Sequence, residues 1–171
     1  MELCDFYALL PDVLPQTDKG IFLTAGGDTP NPMTIGWAQF GVIWGRPTAL
    51  VLVRRSRYTY WLMQNTDVFA LSVPAPGTMK KELAYCGSHS GREGDKYAAA
   101  GLSRARARFG GADGVDGCAL RLECKIVQRT DMPLDRLDDA LRTRFYVPGP
   151  ALPDGDPHVL FFGEALGACR G

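Results

Sequence analysis

The chain has no net charge of either sign: 19 Lys and Arg balance 19 Asp and Glu over 171 residues. A whole-molecule field that would draw in nucleic acid or an anionic membrane is therefore not expected. Histidine is scarce, with only His89 and His158, far apart, so a His-rich metal centre has no support. The five cysteines, Cys4, Cys86, Cys118, Cys124 and Cys169, are odd in number and include no C-x-x-C pair. That argues against a disulfide framework, a zinc ribbon or a thioredoxin-type site, and leaves buried thiols as the plain expectation. No apolar run approaches a membrane span. The first sixteen residues have no basic start and carry Asp5, Pro11, Asp12 and Pro15, unlike a signal peptide, so a cytoplasmic location is the expectation.

What is present is ordinary globular composition, 46% apolar and 22% charged, with enough length for one domain over residues 1–171 and a sizeable core. Gly and Pro break the chain into short β-rich pieces. Strands are expected at residues 21–25, at two places within 33–44 with a bend near Gly41, and at 49–53, 68–73, 102–109, 118–129 and 159–166. Ser56 is placed to cap a helix at about 57–65; further short helices are expected at 79–85, 95–100 and 133–143. In residues 102–109 Arg alternates with small residues, which reads as an edge strand guarded by charge. In 118–129, Leu120, Leu122, Cys124 and Ile126 fall on one side, with Arg121, Glu123 and Lys125 on the other. No G-x-G-x-x-G follows a strand, and no regular βαβ alternation appears, so an antiparallel barrel is favoured over a doubly wound sheet.

Three segments could carry chemistry. Asn31-Pro-Met-Thr-Ile-Gly-Trp37 is either a turn feeding a core strand or a backbone edge for a planar heterocycle, Gly36 permitting close approach. Arg54-Arg-Ser-Arg-Tyr-Thr59 suits a phosphate at a helix start, or is a cap with solvated arginines; three Arg there oppose the helix dipole unless an anion compensates. Cys86-Gly-Ser-His-Ser-Gly-Arg-Glu-Gly-Asp-Lys-Tyr97 is a polar loop entering a helix.

In order and spacing these segments resemble the flavin reductase-like, FMN-binding split-barrel family, including its flavoredoxin-type members. The resemblance rests on N-x-M-T-I-G-W at Asn31 to Trp37, then Gly41, Trp44 and Pro47. It continues through R-x-Y-T at Arg57, Tyr58 and Thr59, and the loop from Cys86 through Ser90-Gly91-Arg92 to Asp95-Lys96-Tyr97. It closes on Asp156, His158, Gly163 and Glu164. Gly94 departs from the pattern, standing where an apolar residue is usual, and Tyr97 replaces Phe.

The resemblance implies a mainly β fold with minor α content: a six-stranded antiparallel split barrel with short flanking helices. It implies a homodimer with FMN near the subunit interface. Met33, Thr34, Ile35, Gly36 and Trp37 would lie along the isoalloxazine. Arg55, Ser56, Arg57, Tyr58 and Thr59 would approach the ribityl chain and phosphate. Ser90, Gly91, Arg92 and Lys96 would complete the phosphate site, with Cys86 near the cofactor or anchoring the loop. The implied activity is hydride transfer from NAD(P)H to FMN and onward to an acceptor the sequence does not name. No side-chain acid or base is needed, so no catalytic residue is assigned. The alternatives are a flavoredoxin-like carrier reduced by a partner protein, or a binding module of another class on the same fold.

Overall fold

A computed structural model of the chain describes residues 2–171, with side chains from Asp5 onward. The fold is mainly β with several helices. The strands are β1 (Glu2–Cys4), β2 (Ile21–Ala25), β3 (Asn31–Ile35), β4 (Ala38–Ile43), β5 (Arg46–Arg54) and β6 (Val68–Val73), then β7 (Arg104–Ala105), β8 (Gly114–Val115), β9 (Leu120–Asp131) and β10 (His158–Arg170). The helices are α1 (Phe6–Thr17), α2 (Tyr58–Gln64), α3 (Lys80–Ser88), α4 (Lys96–Ala99) and α5 (Asp139–Phe145), with a 3₁₀ turn at Leu134–Arg136.

Seven strands form one antiparallel path, β3-β2-β6-β9-β10-β5-β4, and β1 pairs with β10 beside it. The expected six-stranded barrel is therefore an open ladder of more strands, ending at β3 and β4. These two are consecutive in sequence but hydrogen-bond to different partners, β3 to β2 and β4 to β5. The chain changes partner at Gly36-Trp37, so the bend falls there rather than near Gly41, which sits in the ladder opposite Thr48. The β4–β5 hairpin turns on Trp44 and Gly45, at φ 55° and 70°, the left-handed pair that a two-residue turn between twisted strands requires.

Ile21, Leu23, Met33, Val51, Val53, Phe69, Leu71, Leu122, Cys124 and Phe161 meet in one core. Strand β2 is buried on both faces. Its other face sends Phe22 into a second cluster with Leu83, Cys86, Tyr97, Val115 and Cys118, beneath α3, α4 and β8. This outer layer positions the polar loop at residues 86–96 against β3.

Other differences have local causes. Helix α1 was not expected; Asp5 caps it, its carboxylate accepting the Tyr7 N–H, and it carries Pro11 and Pro15. The expected strand 102–109 shrinks to Arg104–Ala105. Beyond it the backbone turns inward: the N–H of Ala107 donates to Asp113, and those of Arg108, Phe109 and Gly111 donate to Glu123. This loop covers Arg121 and Glu123, which are buried, not a solvated face. Arg104 is not an edge guard either, since it lies 5.4 Å over the Tyr97 ring and donates to the Asp28 carbonyl. Residues 133–143 divide into the 3₁₀ turn and α5, which Asp138 caps. Cys86, Cys118 and Cys124 are buried free thiols; the Cys4 side chain lies outside the described residues. Among the described residues no helix is long and apolar enough to cross a membrane.

Candidate functional site

Two adjoining clefts open where β3, the β5–α2 turn and the α3–α4 loop converge. The first, about 240 Å³, runs along Met33, Thr34, Ile35, Gly36 and Trp37 and is closed by Arg54, Gly87 and His158. The second, about 400 Å³, is walled by the turn Ser56-Arg57-Tyr58-Thr59 and by residues 88–93, with Lys96 beneath. Arg57 lines both.

The first cleft is a backbone edge flanked by aromatic rings. Trp37 is 40% exposed, and its ring meets Phe145 edge-on at 4.9 Å and tilts against His158 at 5.1 Å. A Cβ on Gly36 would meet only ordinary contacts with the carbonyls of Thr17 and Asp18, so packing does not demand glycine there. The Thr34 hydroxyl is not idle. It donates to the Leu83 carbonyl at 2.7 Å, pinning α3 to β3, so only its oxygen lone pairs remain for a ligand. His158 Nδ1 shares a 2.7 Å hydrogen bond with the Tyr146 hydroxyl. Burial pulls its pKa down to about 4, with Arg54 lowering it further against the opposing pull of Asp156, so the ring is neutral at pH 7.

The second cleft is cationic. Arg57, Arg92 and Lys96 face it, against the single acid Glu93. Lys96 is 4% exposed and has no carboxylate partner among the described residues. Its ammonium donates to the carbonyls of Cys86 (3.0 Å) and His89 (3.2 Å), which leaves a third proton. Burial lowers its pKa to about 8; the Cys86 thiol raises it and Arg57 lowers it further. Arg57 donates to the Gly87 carbonyl at 2.7 Å, and burial lowers its pKa too, with Asp156 opposing. Asn31 Nδ2 donates to Thr59 Oγ1 at 2.8 Å, so the Thr59 hydroxyl proton is left for an outside acceptor. Gly91 is a close-approach glycine: a Cβ there would collide with Asn31 Oδ1 and fall 2.7 Å from the Tyr58 ring. Arg92 donates to the Ser56 carbonyl and lies 5.3 Å over the Tyr58 ring.

Thirteen of the fifteen residues expected at a site line these two clefts, and two do not. Arg55 turns away to pair with Asp131 at 2.6 Å on the surface. Cys86 is fully buried in the second cluster, where burial pushes its thiol pKa up; only its carbonyl serves the site, through Lys96. Ser56 lines the cleft, but its hydroxyl and N–H both donate to Asp156, at 2.6 and 3.0 Å. Ser56 therefore does not cap α2; Arg57 occupies that position without a side-chain cap. Part of the anion that three arginines call for is thus internal. Arg54 is held by the carbonyls of Asp156 and Phe145. Arg54, Leu52 and His158 are cleft residues that the sequence reading did not assign to the site. The Asp156–His158 pattern was visible, but not that it would fold back onto residues 54–56.

An open antiparallel sheet carries a groove that runs into a cationic cleft, an arrangement suited to an elongated ligand with one anionic end. The model of the flavin reductase-like domain matches residues 18–168, and the chain belongs to that family. Among curated proteins none matches the chain. Solved structures share the fold. A flavoredoxin from Methanosarcina acetivorans is 24% identical with a TM-score of 0.67, covering 89% of this chain and 68% of its own. An NADH:FAD oxidoreductase from Streptomyces globisporus is 21% identical, TM-score 0.64, covering 89% and 75%. An FMN-binding protein from Thermus thermophilus with bound p-hydroxybenzaldehyde is 20% identical, TM-score 0.67, covering 89% and 71%.

Proposed function

We propose that this protein is an FMN-binding oxidoreductase that takes hydride from NAD(P)H, the flavin ring lying along residues 33–37 and its phosphate in the cationic cleft. The observation that carries the reading is Lys96, a buried ammonium with no carboxylate within ion-pair distance among the described residues, set with Arg57 and Arg92 around a cleft that holds one acid, Glu93. A buried cation lacking a protein counter-ion suits an anionic ligand. The donor set fits a phosphate dianion: two guanidinium forks, an ammonium proton and the Thr59 hydroxyl. The adjoining groove fits a planar ring, with backbone on one side and Trp37 and His158 at its end.

When bound, FMN supplies the ability to accept a hydride and release electrons singly. The chain's own groups bind and orient. Arg57, reaching both clefts, sets the ring in register with the tail. His158, neutral and held by Tyr146, offers a hydrogen bond at the ring groove without placing a charge there. Among the described residues no carboxylate lines the first cleft, so the ring groove carries no fixed negative charge. The open sheet is read as the split form of a barrel. The exposed Val42 and Trp44 near the β4–β5 turn, with Val127 and Leu166, support a homodimer.

The test is the absorbance spectrum of the purified protein, then anaerobic titration. A yellow protein bleached by NADH or NADPH is expected. A flavin that dithionite bleaches but neither nicotinamide does would make it an electron carrier. A colourless protein that takes up no FMN would end the flavin reading.

A further inference from the structure

Helix α5 ends on Phe145, and Tyr146 follows as its C-terminal cap, its N–H donating to the Arg142 carbonyl. The Tyr146 side chain is buried and held from several sides. The Arg54 guanidinium lies 5.1 Å from the ring centroid and donates to the carbonyls of Phe145 and Asp156. Gly155, at φ 73°, brings the returning chain so close that a Cβ there would collide with the Tyr146 carbonyl. This packing stands the Tyr146 ring perpendicular to that of His158, centroids 5.5 Å apart, with its hydroxyl 2.7 Å from Nδ1.

That hydrogen bond has two possible directions, with opposite consequences for the groove. A phenol has one proton to give. The other acceptor in its reach is the Met132 sulfur at 3.9 Å, weak and distant. The imidazole lone pair at 2.7 Å is the stronger acceptor, so the Tyr146 O–H donates to Nδ1. Burial raises the Tyr146 pKa, with Arg54 opposing, so the phenol keeps its proton at pH 7. Burial and then Arg54 disfavour a second proton on the imidazole, against the weaker pull of Asp156. A neutral imidazole whose Nδ1 lone pair is occupied carries its proton on Nε2. Nε2 has no hydrogen-bond partner among the described residues and is not sealed from solvent. The cavity that His158 lines is the ring groove.

From this geometry we infer that Tyr146 is a positioning residue: it holds His158 in the Nε2–H form, fixes a neutral hydrogen-bond donor on the ring groove, and so selects ring ligands that present a carbonyl oxygen there. The inference deepens the flavin reading above and rests on it for the ligand. The pyrimidine carbonyls of a flavin and the carboxamide of a nicotinamide both offer such an oxygen. The Thr34 hydroxyl cannot take the part, since its proton goes to the Leu83 carbonyl. Arg54 and Arg57 would bring a full charge with them. A bare nitrogen lone pair in place of Nε2–H would repel the same oxygens.

The experiment reads the tautomer directly, from long-range proton–nitrogen correlation spectra of isotope-labelled protein at pH 7. The chain has two histidines, so the signals lost in His158→Gln are those of His158. The parent should show Nε2 protonated and Nδ1 bare. Tyr146→Phe, which keeps the ring beside Arg54, should move both nitrogen shifts toward the average of exchanging tautomers. A proton on Nδ1 in the parent, or an unchanged spectrum in the variant, overturns the inference. Binding then identifies the oxygen. If it is the flavin's, Tyr146→Phe should weaken FMN and riboflavin equally, by about fivefold, the effect of one neutral hydrogen bond. If it is the carboxamide's, the KM for NADH should rise by that factor while kcat and FMN affinity hold. Neither change overturns the selection of a carbonyl ligand. In His158→Gln the side-chain amide supplies a donor that needs no tautomer, so adding Tyr146→Phe should cost nothing further. An equal loss in that background overturns the inference, the hydroxyl then being structural. Failure of FMN to bind the parent removes the flavin reading, and the His158 spectra still decide what Tyr146 does.

Discussion

Lys96 concentrates the site's electrostatics in one side chain. Its pKa of about 8 lies below the ordinary lysine value because burial penalises the charged form. A bound phosphate would restore that proton. Flavin phosphate affinity should therefore be flat from about pH 7, where the phosphate is a dianion, to pH 8, and weaken by up to tenfold per unit above it, while riboflavin, lacking phosphate, shows no such slope. Lys96→Met should raise the FMN dissociation constant about 10- to 100-fold and abolish the slope, as flavin fluorescence titration would record. His158 titrates in the opposite region. Its folded pKa near 4 is below the unfolded 6.5, so between these values the unfolded state binds more protons. Stability is then fully present above pH 6.5 and falls by about 1.4 kcal/mol per unit as pH drops toward 4. Urea midpoints across that range should show this, and His158→Gln should flatten the curve.

At the scale of elements, the β2, β6, β9 and β10 strands were legible because hydrophobic runs bounded by Gly, Pro and Asp write strands plainly. The cleft-lining segments were legible too, as Arg, hydroxyl and Gly clusters at element ends. What the sequence hid were pairings across long separation. Nothing local says that Ser56 will be held by Asp156, a hundred residues on, or that Arg55 will face Asp131. Of the strand expected at 102–109 only Arg104–Ala105 forms; alternation misread the part beyond it, because a buried carboxylate outcompeted a neighbouring strand for the N–H groups of Arg108, Phe109 and Gly111. Glu123 accepts all three at 2.8–3.1 Å. Replacing it with Gln turns one acceptor into a donor facing donors, and should cost about 3 kcal/mol or more. Hydrogen exchange should accelerate at Arg108, Phe109 and Gly111 well before it does in β9.

Over the whole molecule, the apolar surface is uneven. Trp44 is 63% exposed and Val42 56%, beside the turn that joins β4 to β5. Strand β4 ends the sheet path, so its outer hydrogen-bonding edge has no strand neighbour among the described residues. Sedimentation should give twice the chain mass, and Trp44→Asp should return it to one chain without altering the far-ultraviolet spectrum. A monomeric parent protein would count against the homodimer. The site, by contrast, is assembled from residues 31–37, 54–59, 87–96 and 158, so it exists only when both the sheet and its outer layer are in place.

Arg57 belongs to the groove and to the cationic cleft at once. Recognition of the two halves of a ligand is therefore not modular. Anyone seeking to retune this protein toward a flavin without a phosphate, or a phosphate without a flavin, should leave that guanidinium alone and work outward from Lys96 or Trp37, where a change touches one half only.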